Sequence, residues 1–261
     1  MNRPLPAPVT AGLVALVVAL AAALAGCDGG AADDDETLRV LAASSLTGSF
    51  DELAAAFESQ RGGVDVVAVY DSSATLATQV SEGAPADVLA TADLETMQRV
   101  VDAGDADGAV SFAANSAVLV TPHDAKALVS SLEDLRAGVR YVVCVESAPC
   151  GKVAQELLQL NDVQVDPVSY EDNVKAVLEK VKAGEADAGI VYVTDARAAA
   201  EDVSSHDIPG ADQVVTEYAI AAVQQARNRT LAQEFIDFVL SSDGQDVLRE
   251  AGFAPVSGEV P

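Results

Sequence analysis

Short apolar segments alternate with amphipathic segments along almost the whole chain, and this alternation constrains the fold more than any other feature. We predict strands at 37–43, 64–70, 87–91, 116–121, 139–145, 187–193 and 216–224. We predict helices at 46–60, 73–82, 93–103, 151–160, 173–183, 230–240 and 244–251. Strands that alternate with helices form parallel sheets covered by helices. The pattern therefore predicts an α/β fold, and 261 residues suffice for one or two domains.

Two of the predicted strand-to-helix junctions share one form, in which a strand is followed by a Ser-Ser pair and the first turn of a helix. The pairs are Ser44-Ser45 and Ser72-Ser73. The N–H groups of a first helical turn have no partner inside the helix, and with a serine hydroxyl and the helix dipole they form an anion site. A serine at this place also serves as an ordinary N-cap. Two copies at neighbouring strand ends favour a cleft that holds an oxyanion with neutral donors.

The N-terminal segment has a different composition from the rest of the chain. Arg3 is the only charged residue before Cys27, and Ala11–Leu24 is a continuous apolar run that ends in Leu-Ala-Gly-Cys. This shape is typical of a secretory signal, and its end resembles a bacterial lipobox, in which the cysteine is lipidated. We predict a lipoprotein signal peptide at 1–26, lipidation of Cys27 and an acidic linker at 27–36. A plain signal peptide with an incidental cysteine is the alternative.

The charge of the chain is strongly negative, with 41 acidic residues against 15 basic ones and a formal net charge of −26 at pH 7. This composition excludes nucleic acid as a partner, because no basic patch is available to neutralise phosphates. Attraction for an anion must then come from local dipoles in a cleft. The acidic stretch Asp102–Gly108 lacks the ligand spacing of a calcium loop, and we expect a solvated loop there.

The cysteines at 144 and 150 lie six residues apart. In an exported protein, Cys144 and Cys150 at this spacing are expected to form a disulfide that closes a small loop, with two free buried thiols as the alternative. Neither His123 nor His206 has a ligand-like spacing to them, which argues against zinc.

Seven short motifs follow one another over essentially the whole predicted mature chain. They are A-A-S-S-L-T (42–47), Y-D-S-S-A-T-L (70–76), G-A-P-A-D-V (83–88), P-C-G-K (149–152), E-D-N-V-K-A-V (171–177), G-I-V-Y-V-T-D-A (189–196) and S-S-D-G-Q-D-V-L-R-E-A-G-F (241–253). In this order the set resembles the molybdate-binding proteins of ABC transporters, in a lipoprotein form, within the type II periplasmic-binding-protein family.

The resemblance implies a two-lobed α/β fold, in which each lobe is a mostly parallel sheet flanked by helices and the ligand lies in the cleft between the lobes. Lobe I would comprise 37–118 plus 222–261, and lobe II would comprise 119–221. The strands Ser116–Thr121 and Thr216–Ala222 would cross between them.

The resemblance also implies five oxyanion-binding residues, which are Ser45, Ser73, Cys150, Val174 and Tyr192. The two serines would use their hydroxyl and main-chain N–H groups. Cys150, where the family commonly has a small residue, and Val174 would use the main-chain N–H, and Tyr192 its hydroxyl. Molybdenum would be present only as the bound oxyanion, without direct protein ligands, and no cofactor is expected.

We therefore expect a monomeric binding protein that captures molybdate or tungstate at the outer face of the cell membrane, where a lipid anchors it. The family implies that it delivers the anion to the permease and ATPase subunits of an ABC importer. Another tetrahedral oxyanion, such as sulfate, is an alternative ligand. A serine hydrolase is a distant alternative, because no G-x-S-x-G turn is present and the base would have to be His123 or His206.

A set of donors without acceptors suits a fully deprotonated dianion and disfavours hydrogen phosphate, whose proton needs an acceptor. Several carboxylates lie near the predicted cleft in the sequence, namely those of Asp71, Glu171, Asp172 and Asp195. A carboxylate that faced the ligand would weaken this argument, and the sequence leaves that question open.

Overall fold

The computed structural model of the chain describes residues 36–125 and 129–256, without the side chains of residues 136 and 137. The predicted signal peptide and Cys27, and all of the predicted linker except Glu36, lie outside these residues. Within the described ranges, no helix is both long and apolar enough to span a membrane.

The first lobe is a five-stranded sheet with helices on both faces. Its strands are β1 (Glu36–Ala43), β2 (Val64–Asp71), β3 (Val88–Thr91), β4 (Ala106–Asn115) and β10 (Thr216–Val223), in the order β2-β1-β3-β10-β4. Its helices are α1 (Thr47–Gln60), α2 (Ser73–Ser81), α3 (Leu94–Asp102), α7 (Arg229–Leu240) and α8 (Ser242–Ala251), and a 3₁₀ turn (Ser44–Leu46) precedes α1. One face is packed with aromatic rings such as Phe50 and Phe235, and the other with Leu76, Leu89 and Met97.

The second lobe repeats this plan with a second five-stranded sheet. Its strands are β5 (Ala117–Pro122), β6 (Tyr141–Cys144), β7 (Ser169–Glu171), β8 (Ala188–Tyr192) and β9 (Val203–His206), in the order β7-β6-β8-β5-β9. Its helices are α4 (Pro149–Leu160), α5 (Val174–Lys182) and α6 (Val193–Ala198), with a 3₁₀ helix at Leu132–Ala137. Leu119, Tyr141, Val177 and Ile190 lie in its core.

The fold class is the expected α/β arrangement of two lobes, but the sheets are mixed rather than mostly parallel. In each sheet three strands run parallel, β2-β1-β3 in the first and β7-β6-β8 in the second. The other two strands of each sheet pair antiparallel, β10 and β4 in the first and β5 and β9 in the second. The strand-and-helix alternation predicts helix-linked parallel strands, and it carries no information about strands that pass between lobes.

The chain crosses from the first sheet to the second at Ser116, which alone separates β4 from β5. All of β5 pairs within the second sheet, and all of β10 pairs with β3 and β4 of the first. Our lobe boundaries place residues 117–118 in lobe I, but these residues belong to the second sheet. They place residues 216–221 in lobe II, but these residues belong to the first sheet. The return crossing precedes Thr216. Motif order cannot locate such a boundary, because strand pairing sets it.

Five elements are absent from our prediction, namely β4, β7, β9, α6 and the 3₁₀ helix at Leu132–Ala137. The expected solvated loop at Asp102–Gly108 in fact contains the end of α3 and the start of β4. The first residues of β4 are Ala-Asp-Gly, and residues of the latter two types are depleted in strands. They are accommodated because β4 is an edge strand whose outer part faces solvent.

Candidate oxyanion-binding site

A small cavity lies between the two lobes, where the carboxyl ends of β1 and β2 face the first turns of α4 and α5. The volume of this cavity is about 10 Å³. It is lined by Ala43, Ser44, Ser45, Asp71, Ser72, Ser73, Ala92, Pro149, Cys150, Asn173, Val174 and Tyr192. All five residues expected to bind the anion are among these twelve, and Lys, Arg and His are not among them. The cavity is at the strand ends, where α/β folds bind ligands.

Three helices begin at this cavity. Ser73 is the first residue of α2, Cys150 the second of α4 and Val174 the first of α5. At these positions the main-chain N–H groups have no partner within their own helix, and the positive ends of the helix dipoles point the same way. The cavity is therefore surrounded by partial positive charge although the chain as a whole is strongly acidic.

The serine hydroxyls at the two junctions are not helix caps. Neither α1 nor α2 has a side-chain cap hydrogen bond, so the ordinary N-cap explanation of the Ser-Ser pairs is wrong. Ser73 Oγ accepts a hydrogen bond of 2.9 Å from the N–H of Ala92. Ser45 Oγ lies 2.8 Å from the hydroxyl of Tyr218. Both serines are buried, and their hydroxyls are held by partners outside their own helices.

Tyr192 ends β8 and has a buried hydroxyl without a hydrogen-bond partner among the described residues. An unpaired buried hydroxyl is costly, so a polar group in such a position calls for a ligand or water. Burial, followed by the nearby Tyr218, Asp195 and Asp93, raises the pKa of Tyr192 well above its ordinary value. The hydroxyl thus keeps its proton at physiological pH and has it available to donate.

A disulfide joins Cys144, at the end of β6, to Cys150 in the first turn of α4. The next residue, Gly151, packs against the loop that the disulfide closes: a Cβ built there would be 1.9 Å from the carbonyl oxygen of Val145. The first turn of α4, with the Cys150 N–H, is thereby held against the end of β6.

Of the four carboxylates left open by the sequence, only that of Asp71 belongs to a residue that lines the cavity. Its Oδ1 accepts hydrogen bonds from the N–H of Ser72 at 2.7 Å and from Nδ2 of Asn173 at 3.1 Å. The Asn173 bond crosses the cleft between the lobes. Glu171 is paired with Lys180, 2.6 Å away.

Asp195 is buried in α6, and Lys175 Nζ lies 3.0 Å from its Oδ1. Burial raises the pKa of this carboxyl, while Lys175 acts in the opposite direction. Asp195 does not line the cavity, but its carboxyl is close enough to Tyr192 to help raise the pKa of that hydroxyl.

A second polar contact between the lobes lies at the rim of the cleft. Lys152 Nζ of α4 is 2.6 Å from Glu95 Oε2 and 3.6 Å from Asp93 Oδ2 of the first lobe. The hydrogen bond and the charge of Lys152 lower the pKa of Glu95. Because these side chains are partly in water, the ion pair contributes little to the stability of the contact between the lobes.

The two histidines considered for a hydrolase do not line the cavity. His123 contacts Ser204 Oγ through Nδ1 and the carbonyl of Ala200 through Nε2, and His206 contacts Thr121 Oγ1. All of these partners belong to the second lobe, so the cavity serines have no histidine base. In the described ranges, no three His, Cys, Asp or Glu side chains cluster in a way that could hold a metal ion.

The sequence interpretation missed the polar groups that support the cavity from behind. Asn115 Nδ2 donates to Thr194 Oγ1 at 2.9 Å and to Tyr218 Oη at 3.4 Å, and Tyr218 contacts Ser45. Neither Asn115 nor Tyr218 belongs to a motif, and the two are 103 residues apart. The one available signal was Tyr218, a tyrosine in the predicted strand 216–224, because Asn115 lies just before the predicted strand 116–121.

Comparison with known proteins places the chain in a family. Residues 38–254 match the family described as bacterial extracellular solute-binding protein. The chain is 37% identical over 250 residues to the molybdate-binding protein ModA of Mycobacterium tuberculosis, with 95% of each chain covered. It is 32% identical to the molybdate-binding protein ModA of Escherichia coli, over 86% of this chain and 91% of that one.

Among solved structures, the periplasmic molybdate-binding protein of Azotobacter vinelandii has a similar fold. Its TM-score is 0.75 at 20% identity, with 84% of this chain and 100% of that chain covered. At this identity the likeness concerns the fold alone, which has the same two lobes. The family match covers both sheets and every residue that lines the cavity. The chain belongs to the bacterial extracellular solute-binding proteins.

Proposed function

We propose that this protein binds molybdate, and with it tungstate, outside the cytoplasm and delivers the anion to an ABC importer. The observation that carries the proposal is the cavity itself, where three helix N-termini, two serine hydroxyls and the unpartnered hydroxyl of Tyr192 converge without a Lys or Arg side chain. A fully deprotonated tetrahedral dianion only accepts hydrogen bonds, and such a cavity only needs to donate them. The names of the curated relatives support the same ligand.

The ligand residues in this proposal are Ser45 and Ser73 from the first lobe, and Cys150, Val174 and Tyr192 from the second. The five ligand residues are arranged as donors, so the proton of hydrogen phosphate lacks an acceptor among them, at a cost of about 1–3 kcal/mol. Asp71 also lines the cavity and its carboxylate can accept a proton, so phosphate is disfavoured less than by the donors alone. Sulfate carries no such proton, so the size of the closed cavity must separate it from the larger molybdate. The protein binds rather than catalyses in this proposal, because neither histidine lies among the residues that line the cavity with the serines.

Calorimetry on the protein without its first 27 residues tests the ligand. We expect sub-micromolar binding of molybdate or tungstate, and much weaker binding of sulfate and phosphate. Sulfate as the tightest ligand would replace molybdate with the alternative oxyanion. Absence of tight binding to any of the four anions would overturn the proposal.

The proposal includes export and a lipid anchor on Cys27, supported by the Leu-Ala-Gly-Cys sequence at the end of the apolar run. Expression of the full chain in a bacterial host should give a membrane-bound, lipid-modified protein. The Cys27→Ala variant should lose the lipid and leave the membrane fraction. Equal membrane association of both proteins would contradict the anchor.

Delivery to a permease and ATPase is supported by the family match alone. Molybdate uptake by cells that lack the gene should fall at low external molybdate and return with the wild-type chain. It should not return with a Ser45→Ala, Ser73→Ala double variant, and uptake that is independent of the gene would contradict the transport role.

A further inference from the structure

We propose that Tyr218, oriented by Asn115, is a positioning residue that forces the Ser45 hydroxyl to donate into the cavity, and that this direction disfavours protonated oxyanions. The inference rests on the proposed function and concerns the selectivity of the same site. It depends on the order of donors and acceptors behind Ser45.

The order begins at Asn115, the last residue of β4. Its Oδ1 accepts the N–H of Ser116 at 3.0 Å, which fixes the orientation of the side-chain amide. The NH₂ group therefore faces Thr194 Oγ1, at 2.9 Å, and Tyr218 Oη, at 3.4 Å. An amide nitrogen can only donate, so Tyr218 Oη is an acceptor in this contact.

The proton of Tyr218 then has one direction left. The two hydrogen-bond partners of Tyr218 Oη in the described part of the chain are Asn115 and Ser45, and Asn115 cannot accept. Tyr218 donates to Ser45 Oγ across 2.8 Å. Burial is the largest cause that raises the pKa of Tyr218, so this proton is always present.

The ring of Tyr218 is held rigidly enough for this role. It is fully buried and packs edge-on against Phe112, Tyr192 and Phe253, with centroid distances of 6.1, 6.1 and 5.2 Å. Such contacts fix the position of the ring and therefore of its hydroxyl.

Ser45 Oγ, which already accepts from Tyr218, has its own proton free for the cavity that the residue lines. The Ser73 hydroxyl also has its proton free for the cavity, because its Oγ accepts a hydrogen bond from the N–H of Ala92. Both serines thus present a proton to a bound oxyanion and have an acceptor position occupied by the protein. One of the two lone pairs of each serine oxygen is occupied and its proton is directed at the anion, so the serines are poor acceptors for the proton of hydrogen phosphate.

The test compares Tyr218→Phe with a matched control, Tyr141→Phe. Tyr141 is also a buried tyrosine whose hydroxyl is hydrogen-bonded, to the carbonyl of Val165, but it lies in the second lobe away from the cavity. Calorimetry measures the affinity for molybdate, and displacement of bound molybdate measures the affinities for sulfate and phosphate. These two anions have similar size, but near pH 8 phosphate carries one proton and sulfate carries none.

We expect Tyr218→Phe to lower the affinity for molybdate about tenfold and to raise the ratio of phosphate to sulfate affinity by a similar factor. Without the tyrosine proton, Ser45 Oγ becomes free to accept from hydrogen phosphate. Asn115→Leu keeps the tyrosine but removes the donor that makes Tyr218 Oη an acceptor, so Tyr218 becomes free to accept from Ser45. This variant should also raise the ratio of phosphate to sulfate affinity. Tyr141→Phe should change neither quantity.

An unchanged molybdate affinity in Tyr218→Phe overturns the inference. So does an equal loss for all three anions, which is the result of a purely structural role. If Tyr218→Phe does not fold, the Asn115→Leu ratio decides alone. Failure of the wild-type protein to bind molybdate or tungstate overturns the proposed function instead, and the two failures are therefore distinguishable.

Discussion

Asn173 of the second lobe donates a hydrogen bond of 3.1 Å to Asp71 of the first, directly beside the cavity. The same asparagine caps α5, because its Oδ1 accepts the N–H of Ala176 at 3.1 Å. One side chain thus orders a helix whose N-terminus faces the cavity and links that helix to the opposite lobe.

The Asn173→Asp variant should weaken molybdate binding at least tenfold. Aspartate keeps the cap but loses the NH₂ donor, and two carboxylates then face each other across the cleft and oppose closure. Asn228→Asp is the matched control, because Asn228 caps α7 and donates to Glu36 in the same manner, away from the cleft. Calorimetry should show unchanged binding for Asn228→Asp. Equal losses in both variants would contradict the role of the Asn173–Asp71 contact.

The serine pairs allow a test within each junction. Ser45→Ala and Ser73→Ala should each weaken molybdate binding by about 1.5–3 kcal/mol, the contribution of a hydrogen bond to a charged group. Ser44→Ala and Ser72→Ala alter the neighbouring residues, which also line the cavity, and should have much smaller effects. Titrations of all four variants check this, and a larger loss at Ser44 or Ser72 would reassign the ligand.

Tyr192→Phe should separate binding from stability. Removal of its hydroxyl should weaken molybdate binding by about 1.5–3 kcal/mol, but it should not lower the unfolding temperature without ligand, because the hydroxyl has no partner in the described structure. Tyr141→Phe, which loses a hydrogen bond to Val165, should lower the unfolding temperature and leave molybdate binding unchanged. Thermal unfolding with and without molybdate provides both readings. A destabilised ligand-free Tyr192→Phe protein would argue for an internal partner.

Ionisation of Asp195 should lower the free energy of unfolding as the pH rises. Its pKa is raised by burial in the folded protein, so the folded state binds the proton more tightly than the unfolded chain. The resulting stabilisation is complete below the ordinary carboxyl pKa and is lost as the pH rises through the raised pKa. Urea unfolding of Asp195→Asn across this range should show a flatter dependence than that of the wild type.

Asp187 supplies the opposite control for this titration. Its hydrogen bond to Arg140 lowers its pKa, so its contribution is present above the ordinary carboxyl pKa and is lost as the pH falls through the lowered value. Asp187→Asn should therefore reduce the loss of stability in acid. The same slope in both variants would contradict the assigned shifts.

The Cys150→Ala variant tests whether this residue acts through its backbone. Loss of the disulfide should lower the free energy of unfolding by about 2 kcal/mol, as expected for a short closed loop. The N–H at position 150 remains, so molybdate binding should fall less than in Ser45→Ala. Cys144→Ala, which removes the same disulfide from the other end, should match it in both respects. Loss of all binding in Cys150→Ala alone would assign a role to the sulfur.

Local patterns predicted the α/β class and the groups at helix starts, because these depend on a few adjacent residues. The N-termini at Ser73, Cys150 and Val174 are each marked by small or capping residues in sequence. Those patterns do not show that the three N-termini surround one cavity. That expectation came from the resemblance of the seven ordered motifs to a known family.

What the sequence could not provide are the contacts between distant elements. The pairing of β10 with β4 places Tyr218 behind Ser45, 173 residues away in the chain. Edge strands such as β4 were missed because their polar starts lack an apolar pattern. Asp71 was recognised as near the cleft, but its pairing with Asn173 depends on how the two lobes meet.

The lining of the cavity is divided between two sheets, and the proposed donors are divided with it. Ser45 and Ser73 belong to the first lobe, whereas Cys150, Val174 and Tyr192 belong to the second. Separation of the lobes therefore removes about half of the donors in one movement. In the proposed transport role, unloading by lobe separation would need neither a proton nor a competing ion. A partner that pulled the lobes apart would empty the protein and leave it chemically unchanged for another cycle.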